Sequence, residues 1–305
     1  MSFRNSIALL VLLATPELAF AQAVGLRLDN DSFANIDRWY SHRHELFVAA
    51  RVHRARHPTL LQFRWGQAMW TPRNIQFVEP PERDLSFAGY MYVDAAALLS
   101  WEHHTLQLRG RLGVIGPAAG AGPTQEAIHT VLGVRQPRGW GNQLPNQAAG
   151  YVSATWAVHR MWNVDGLQLG GIAHVRGDAG NLAVRARSGL MLMLAHGFSD
   201  PSPADPLLTA GGCNARPCLA MFVGGSATAV ALDLVVDAKG AESPPAIDRR
   251  PLIGTLRWGF QVGGPRAWMR YTHIRQTRLF ETSPEVHPKN HRWGMFELVI
   301  PYSVQ

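Results

Sequence analysis

Three things are scarce in this 305-residue chain: cysteine, lysine and long apolar runs. The only two cysteines, Cys213 and Cys218, are five positions apart, which excludes a zinc site built from several cysteines. Lysine occurs only at positions 239 and 289, so the net charge of +7 is carried almost entirely by arginine, whose planar guanidinium suits phosphate. Beyond the N-terminal segment no stretch approaches the roughly 20 apolar residues that a spanning helix needs. The mature chain is therefore either secreted and soluble, or crosses a membrane as strands.

The N-terminal segment has the pattern of a secretory signal. Arg4 precedes the apolar run Ile7–Ala14, and Ala19-Phe20-Ala21 provides small residues for cleavage. We expect a signal peptide over residues 1–23 and a single domain over 24–305. Export argues against nucleic acid as a partner, which leaves a phosphorylated lipid or a polysaccharide as the anion that the basic charge favours. In an oxidising compartment, Cys213 and Cys218 are expected to close a small disulfide loop.

After the signal, apolar and polar residues alternate with period two almost throughout. The polar positions hold Arg, Gln and Gly, as in the lumen of a membrane barrel, while the apolar positions hold Leu, Trp, Phe and Val, as lipid requires. A soluble sandwich would also alternate and stays an alternative at this point. Twelve segments have this pattern, an even number typical of a closed bacterial barrel: 24–31, 42–52, 59–70, 88–99, 105–114, 148–159, 167–176, 182–196, 219–232, 251–263, 267–277 and 291–304.

The lengths of the connections indicate which side each one occupies. Odd connections are mostly long and even ones mostly tight, as in outer-membrane barrels with long outer loops and short periplasmic turns. The exception is the even connection from Phe198 to Cys218. Either the strand count slips there, or this turn is elaborated and carries the disulfide.

The longest odd connection, between segments 105–114 and 148–159, is predicted to contain a short helix. Pro123 suits the first helical position and Gly133 suits the end of the helix. On this helix Gln125, Ile128, His129 and Leu132 are spaced three and four apart, so they are expected to share a face, and His129 to point where the apolar side chains point. His129 is either a packed loop histidine with a backbone partner or, since imidazole titrates near neutral pH, a general base.

The parity of the connections places the end of the first strand and the start of the second on the same side as this helix. Asn30 and Asp31 carry hard oxygen ligands of the kind calcium takes, although Asn-Asp after a strand is also an ordinary turn. His42 and His44 lie two apart on one strand face and could hold a metal with Asp37 or His129, or could simply provide polarity. On this side Arg43, Arg73, Arg83 and Arg138 are candidate phosphate ligands or solvated charges.

Many short blocks in this order resemble the LpxR family of outer-membrane lipid A 3'-O-deacylases. They are Asn30-Asp31-Ser32-Phe33, Asp37-Arg38-Trp39-Tyr40-Ser41, Gly66 to Pro72, Phe87-Ala88-Gly89-Tyr90, Gly113 to Pro117, Gln125 through His129 to Gly133, Gly139-Trp140, Asn142-Gln143-Leu144, Gly180-Asn181-Leu182 and Thr277 to Glu281.

This resemblance implies a 12-stranded antiparallel transmembrane β-barrel in the outer membrane, an all-β fold with a short helix in an extracellular loop. It also implies a calcium-dependent ester hydrolase that removes the 3' acyloxyacyl chain from lipid A, the anchor of lipopolysaccharide, at the outer leaflet. Carried over by position, His129 would activate water, Asn30 and Asp31 would serve the Ca2+ and oxyanion site, and Ser41 and Gln125 would be supporting polar groups. The absence of a Gly-x-Ser-x-Gly motif agrees with water as the nucleophile.

Two departures from the family pattern alter the charge near the expected site. Leu85 stands where the family commonly has arginine, and Arg135 stands where characterised members can carry an acidic residue. They give substance to a second hypothesis, a non-catalytic outer-membrane barrel that is a small pore or a lipid-binding remnant of the family. The acyl specificity and the oligomeric state are not fixed by these patterns.

Overall fold

Twelve antiparallel strands form the molecule in a computed structural model that describes residues 23–34, 39–52, 59–81, 83–198, 217–237, 247–281 and 290–301. Residues 1–22 of the expected signal peptide and Cys213 lie outside these ranges. The strands are β1 Ala23–Asn30, β2 Trp39–Val52, β3 Thr59–Thr71, β4 Ala88–Trp101, β5 His104–Ile115, β6 Gln147–Val164, β7 Leu167–Ala179, β8 Ala183–His196, β9 Cys218–Asp233, β10 Leu252–Gly264, β11 Ala267–Gln276 and β12 His291–Pro301. Two helices accompany them, α1 Ala121–Leu132 and α2 Leu234–Asp237. Within the described ranges neither helix has the length and apolarity to span a bilayer.

The strands close into one barrel. Each strand pairs with its chain neighbours, and β1 pairs with β12 from Ala23 opposite Pro301 to Asn30 opposite Gly294. The predicted barrel is thereby confirmed, and the soluble-sandwich alternative is wrong because a sandwich leaves two open sheets. All odd connections meet at the end of the barrel where β1 finishes, called the loop end below, and all even connections meet at the opposite turn end.

Two connections at the turn end can be compared with the sequence predictions: the β6–β7 turn and the long connection between β8 and β9. β6 runs to Val164, past the predicted end at 159, because Asp165 and Gly166 both adopt positive φ and make a two-residue hairpin turn to β7. The count of strands does not slip after β8, which pairs with β9 across the long connection. Cys218 at the start of β9 is fully buried and disulfide-bonded, whereas residues 199–216 of this connection lie outside the described ranges.

The lumen holds a polar belt between two apolar clusters. Near the turn end Phe47, Met193, Phe198, Trp268 and Val299 pack together inside the barrel. At the loop end a second cluster contains Trp39, Leu85, Val236 and Phe280. Between them, arginines and carboxylates pair across the lumen, as in the ion pairs that Glu45 of β2 makes with Arg64 of β3 and Arg111 of β5. The lumen is therefore lined by apolar side chains near both ends and by charged side chains between them.

Candidate active site on the outer wall

A β-bulge in β2 places the side chains of two consecutive residues, Ser41 and His42, on the outer face of the barrel. Tyr40 pairs with Trp70 and His42 pairs with Met69, so Ser41 is the extra residue between them. Tyr40 points into the lumen, where its hydroxyl donates to Asp29, whereas the Ser41 hydroxyl contacts that of Thr71 at 2.6 Å. Bulges of this kind redirect side chains beside functional sites.

The outward side chains of β1 and β2 form a short chain of hydrogen bonds. Asn30 is directly opposite His42 in the sheet, and its Nδ2 lies 3.3 Å from His42 Nδ1. His44 Nδ1 lies 3.3 Å from His42 Nε2. Because an amide nitrogen can only donate, His42 Nδ1 is the acceptor and Nε2 carries the proton toward His44. This order directs Asn30 Oδ1 away from His42, toward the backbone N–H of Ser32 at 2.7 Å.

Helix α1 begins directly beside this chain of polar groups. Gln67 is the cross-strand neighbour of His44, and its Nε2 donates to the Ala119 carbonyl at 2.6 Å, just before the helix. Gly89 of β4 allows the closest approach of α1 to the wall, since a Cβ there would be 2.4 Å from the Ala121 Cβ. Met69, opposite His42 in the sheet, packs in the same cluster as Ala121. The helix thus lies on the outside of the barrel, over β3 and β4.

The buried stripe of α1 contains Ala121, Gly122 and Gln125. Gln125 is 3% exposed and its Oε1 accepts a 2.8 Å hydrogen bond from the indole N–H of Trp140. His129 follows four residues later on the same stripe and is half-buried. Leu132, which was predicted on the same face, is not covered: it is 67% exposed, because only the N-terminal half of the helix, with its small residues, docks closely.

The ring of His129 is oriented by a backbone carbonyl. Its Nδ1 lies 2.5 Å from the carbonyl oxygen of Arg135, which follows the helix. A carbonyl can only accept, so Nδ1 carries a proton, and the neutral form of this ring would have its lone pair on Nε2. A neutral imidazole held in this tautomer has the form that a general base requires. Both readings of His129, the backbone partner and the available base nitrogen, are compatible with this geometry.

The four candidate arginines are spread over different environments. Arg43 points into the lumen and binds Asp29, with its Nε 3.0 Å from Oδ2, so it does not join the outer-wall group. Arg73 lies in the β3–β4 loop with its Nε 3.8 Å from Asp84. Arg83 and Arg138 are exposed at the loop end, and Arg138 fastens its loop through a backbone hydrogen bond to Ile75.

The sequence and the fold of this chain both match known proteins. A family model described as outer membrane protein LpxR matches residues 6–302. The chain belongs to the LpxR family. LpxR from Salmonella typhimurium has the same fold, with a TM-score of 0.78 and 17% identity over 92% of this chain and 100% of that chain. The β domain of the Bordetella autotransporter BrkA is more distant, with a TM-score of 0.44 and 9% identity over 93% and 99% of the two chains. No curated protein sequence matches.

LpxR-family membership and the closed barrel make this chain an outer-membrane protein. The position of Leu85 accounts for its departure from the family pattern. Its side chain is fully buried beside Trp39 in the apolar cluster at the loop end, away from the outer wall. The neighbouring Asp84 accepts hydrogen bonds from Trp39 Nε1 and from the backbone of Arg73 and Leu85. Burial nevertheless raises the pKa of the Asp84 carboxyl above its ordinary value, although these hydrogen bonds and Arg73 oppose the shift.

The oxygen donors expected to hold calcium in this LpxR-family chain are adjacent at the end of β1. Asn30 offers an amide oxygen and Asp31 a carboxylate, both hard ligands. Across the described ranges no group of three or more His, Cys, Asp or Glu side chains is placed to hold a metal ion. The donor chemistry of Asn30 and Asp31 fits calcium, with backbone carbonyls and water left to complete the shell. Asp37, a possible partner of His42 and His44, lies outside the described residues.

The sequence did not single out Gln67 and Trp140 as parts of this site. Both lay within family-like blocks, but neither carries a titratable group. Gln67 anchors the start of α1, and Trp140 satisfies the buried amide of Gln125. Gln67 Oε1 is buried with no hydrogen-bond donor among the described residues. The outward position of Gln67 in β3 was the available signal, since a polar residue there faces lipid unless something covers it.

Proposed function

We propose that this chain is a lipid A deacylase that hydrolyses the ester-linked 3' acyloxyacyl chain of lipopolysaccharide at the outer leaflet. Membership of the LpxR family supports this at the level of the family. The observation that carries the proposal is the His129 ring on the outside of the barrel, with Nδ1 held by the Arg135 carbonyl. In the neutral ring this leaves Nε2 as the nitrogen that can accept a proton. The loop end would face the cell exterior, where lipid A is found.

In the proposed reaction, His129 Nε2 takes a proton from water, and the water oxygen attacks the ester carbonyl carbon. The bond from that carbon to the sugar oxygen then breaks, and the proton passes from His129 to the departing alcohol. The products are a free carboxylic acid and lipid A with a hydroxyl at the 3' position. General base catalysis of this kind contributes about 10²–10⁴-fold to a rate.

Asn30 and Asp31 are the residues that would hold Ca2+ in this scheme. Calcium, when bound, supplies positive charge where the carbonyl oxygen becomes negative. His42 fixes the direction of the Asn30 amide, so Oδ1 is presented on the side away from the two histidines. Arg135 stands at the position where relatives can carry an acidic side chain. In this chain its backbone carbonyl, instead of a side-chain carboxylate, would orient the His129 ring.

Mass spectrometry of lipid A from Gram-negative cells that express the chain tests the proposal. Lipid A from cells that express the wild-type chain should lack the mass of the 3' acyloxyacyl group when calcium is present. Lipid A from cells that express His129→Ala or Asn30→Ala should keep it. His103→Ala is the matched control, because His103 is exposed in the tight β4–β5 turn at the other end of the barrel. Unchanged lipid A in cells that carry folded, surface-located wild type would overturn the deacylase proposal and favour the non-catalytic barrel. Calorimetric titration of calcium into wild type and Asn30→Ala tests the metal separately from activity.

A further inference from the structure

The lumen has a cationic region that the outer-wall chemistry does not use. Among the described residues in the part of the lumen bounded by β7 to β10, four arginines face two aspartates. Arg176 pairs with Asp178 at 2.7 Å and Arg185 pairs with Asp233 at 2.5 Å. Arg187 instead donates from Nε to the hydroxyl of Thr228 at 3.0 Å. Both carboxylates are thus engaged by other arginines, and the guanidinium of Arg187 pairs with a neutral group.

The sheet register brings like charges into direct opposition at this point. Arg187 of β8 is directly opposite Arg176 of β7, a position at which Cβ atoms are about 4.5–5.5 Å apart. Arg257 of β10 adds a third positive charge, and its side chain is 7% exposed. Like charges directly opposite in a sheet are destabilising, and desolvation strengthens the repulsion. An anion between these guanidinium groups would turn this repulsion into attraction.

A cavity of about 260 Å³ lies where these side chains meet. Its polar lining on this side includes Arg176, Arg185, Arg187, Arg257, Thr228 and Thr255, together with Asp178 and Asp233, the carboxylates that Arg176 and Arg185 bind. Across the lumen it reaches Arg109 and Arg111. Toward the loop end it is bordered by apolar side chains, among them Leu85, Val236 and Leu279. Pockets for drug-sized ligands occupy about 300–1,000 Å³, and a volume just below that range accommodates a tetrahedral oxyanion together with water. Guanidinium groups and hydroxyls are the groups that bind tetrahedral oxyanions well.

We propose that the barrel lumen contains a binding site for a small oxyanion of the phosphate class, formed by Arg176, Arg187 and Arg257 with the hydroxyls of Thr228 and Thr255. This site is separate from the outer wall and does not depend on the deacylase proposal. The anion would neutralise the excess positive charge of this part of the lumen and join strands β7 to β10. Arg187 is its central ligand, because it faces both Arg176 and Thr228 across its two neighbouring strands.

Thermal unfolding and calorimetric titration of the detergent-solubilised barrel with inorganic phosphate test the proposal, with sodium chloride at equal ionic strength as the reference. Phosphate should raise the unfolding temperature of wild type more than chloride does. Arg187→Gln should raise the unfolding temperature in chloride, because it removes the repulsion. The same change should weaken phosphate binding by roughly tenfold or more, which is what the loss of a charged hydrogen bond costs. Arg292→Gln, which changes an exposed arginine at the loop end of β12, is the matched control and should behave as wild type.

Two results would overturn the proposal. One is an equal effect of phosphate and chloride on wild type, which indicates general screening. The other is an unchanged phosphate affinity in Arg187→Gln. Because Arg187 takes no part in the proposed ester hydrolysis, lipid A modification by Arg187→Gln reports on the outer wall alone. The two proposals can therefore fail independently.

Discussion

Helix α1 docks closely against the barrel wall because Gly89 has no Cβ. The substitution Gly89→Ala should therefore push the helix away from the wall. The added Cβ would be 2.4 Å from the Ala121 Cβ, which is 1 Å short of the 3.4 Å at which ordinary contact begins. Overpacking of this kind costs about 1–3 kcal/mol, and the helix can escape it by moving outward. His129 travels with the helix, and a displacement of about 1 Å can reduce a catalysed rate by roughly 10²-fold. The barrel itself keeps all of its strand pairing, so its unfolding temperature should change little.

Two measurements are needed, one of lipid A conversion and one of helix docking. Limited trypsin digestion reports docking, because Arg135 and Arg138 are exposed in the segment that follows α1. Gly89→Ala should be cleaved faster there and should convert lipid A more slowly. Gly110→Ala is the matched control, since a Cβ at that glycine of β5 meets nothing within 4 Å. Ala121→Gly in the Gly89→Ala background should restore both properties. If Gly89→Ala resembles wild type in digestion and in conversion, the close docking described above is refuted.

Three further changes have defined outcomes. Trp140→Phe removes the donor to buried Gln125, a loss of about 1–3 kcal/mol that should appear as faster tryptic cleavage of the loop; unchanged cleavage would count against this hydrogen bond. His42→Asn keeps an acceptor for Asn30, whereas His42→Leu does not, so calorimetry should find weaker calcium binding for Leu alone; equal affinities would contradict the positioning role of His42. Burial raises the pKa of Asp84 above 3.8, so the folded chain binds a proton that the unfolded chain releases. Stability should therefore fall as pH rises from 3.8 through the raised pKa, and Asp84→Asn should flatten this slope in unfolding scans; an identical slope in both proteins would refute it.

Much of the architecture could be predicted because lipid and lumen impose opposite demands on alternate residues. All twelve segments correspond to strands, and the even connection after β8 leads to a disulfide-bonded Cys218 at the start of β9. The start of α1 was predicted two residues late, at Pro123, because Ala121 and Gly122 join the helix after Gly120 adopts a left-handed conformation. Gly133 ends the helix as predicted, also with positive φ.

The inner or outer direction of single side chains at the rim could not be predicted in the same way. One bulged residue, Ser41, decides that Tyr40 faces the lumen while both Ser41 and His42 face outward. Arg43 was expected among phosphate ligands on the outer side, but the alternation after the bulge directs it to Asp29. A bulge leaves no mark in the pattern of apolar residues, because the residues around it are all polar or aromatic.

The C-terminal tip of α1 is apolar and uncovered: Val131 is 86% exposed and Leu132 67%. An apolar tip of this kind would gain free energy by entering the acyl region of a surrounding lipid or detergent. Its depth, and with it the position of His129, would then follow the thickness and curvature of that lipid or detergent layer. Rates measured in small micelles and in planar lipopolysaccharide layers should therefore differ for the same protein.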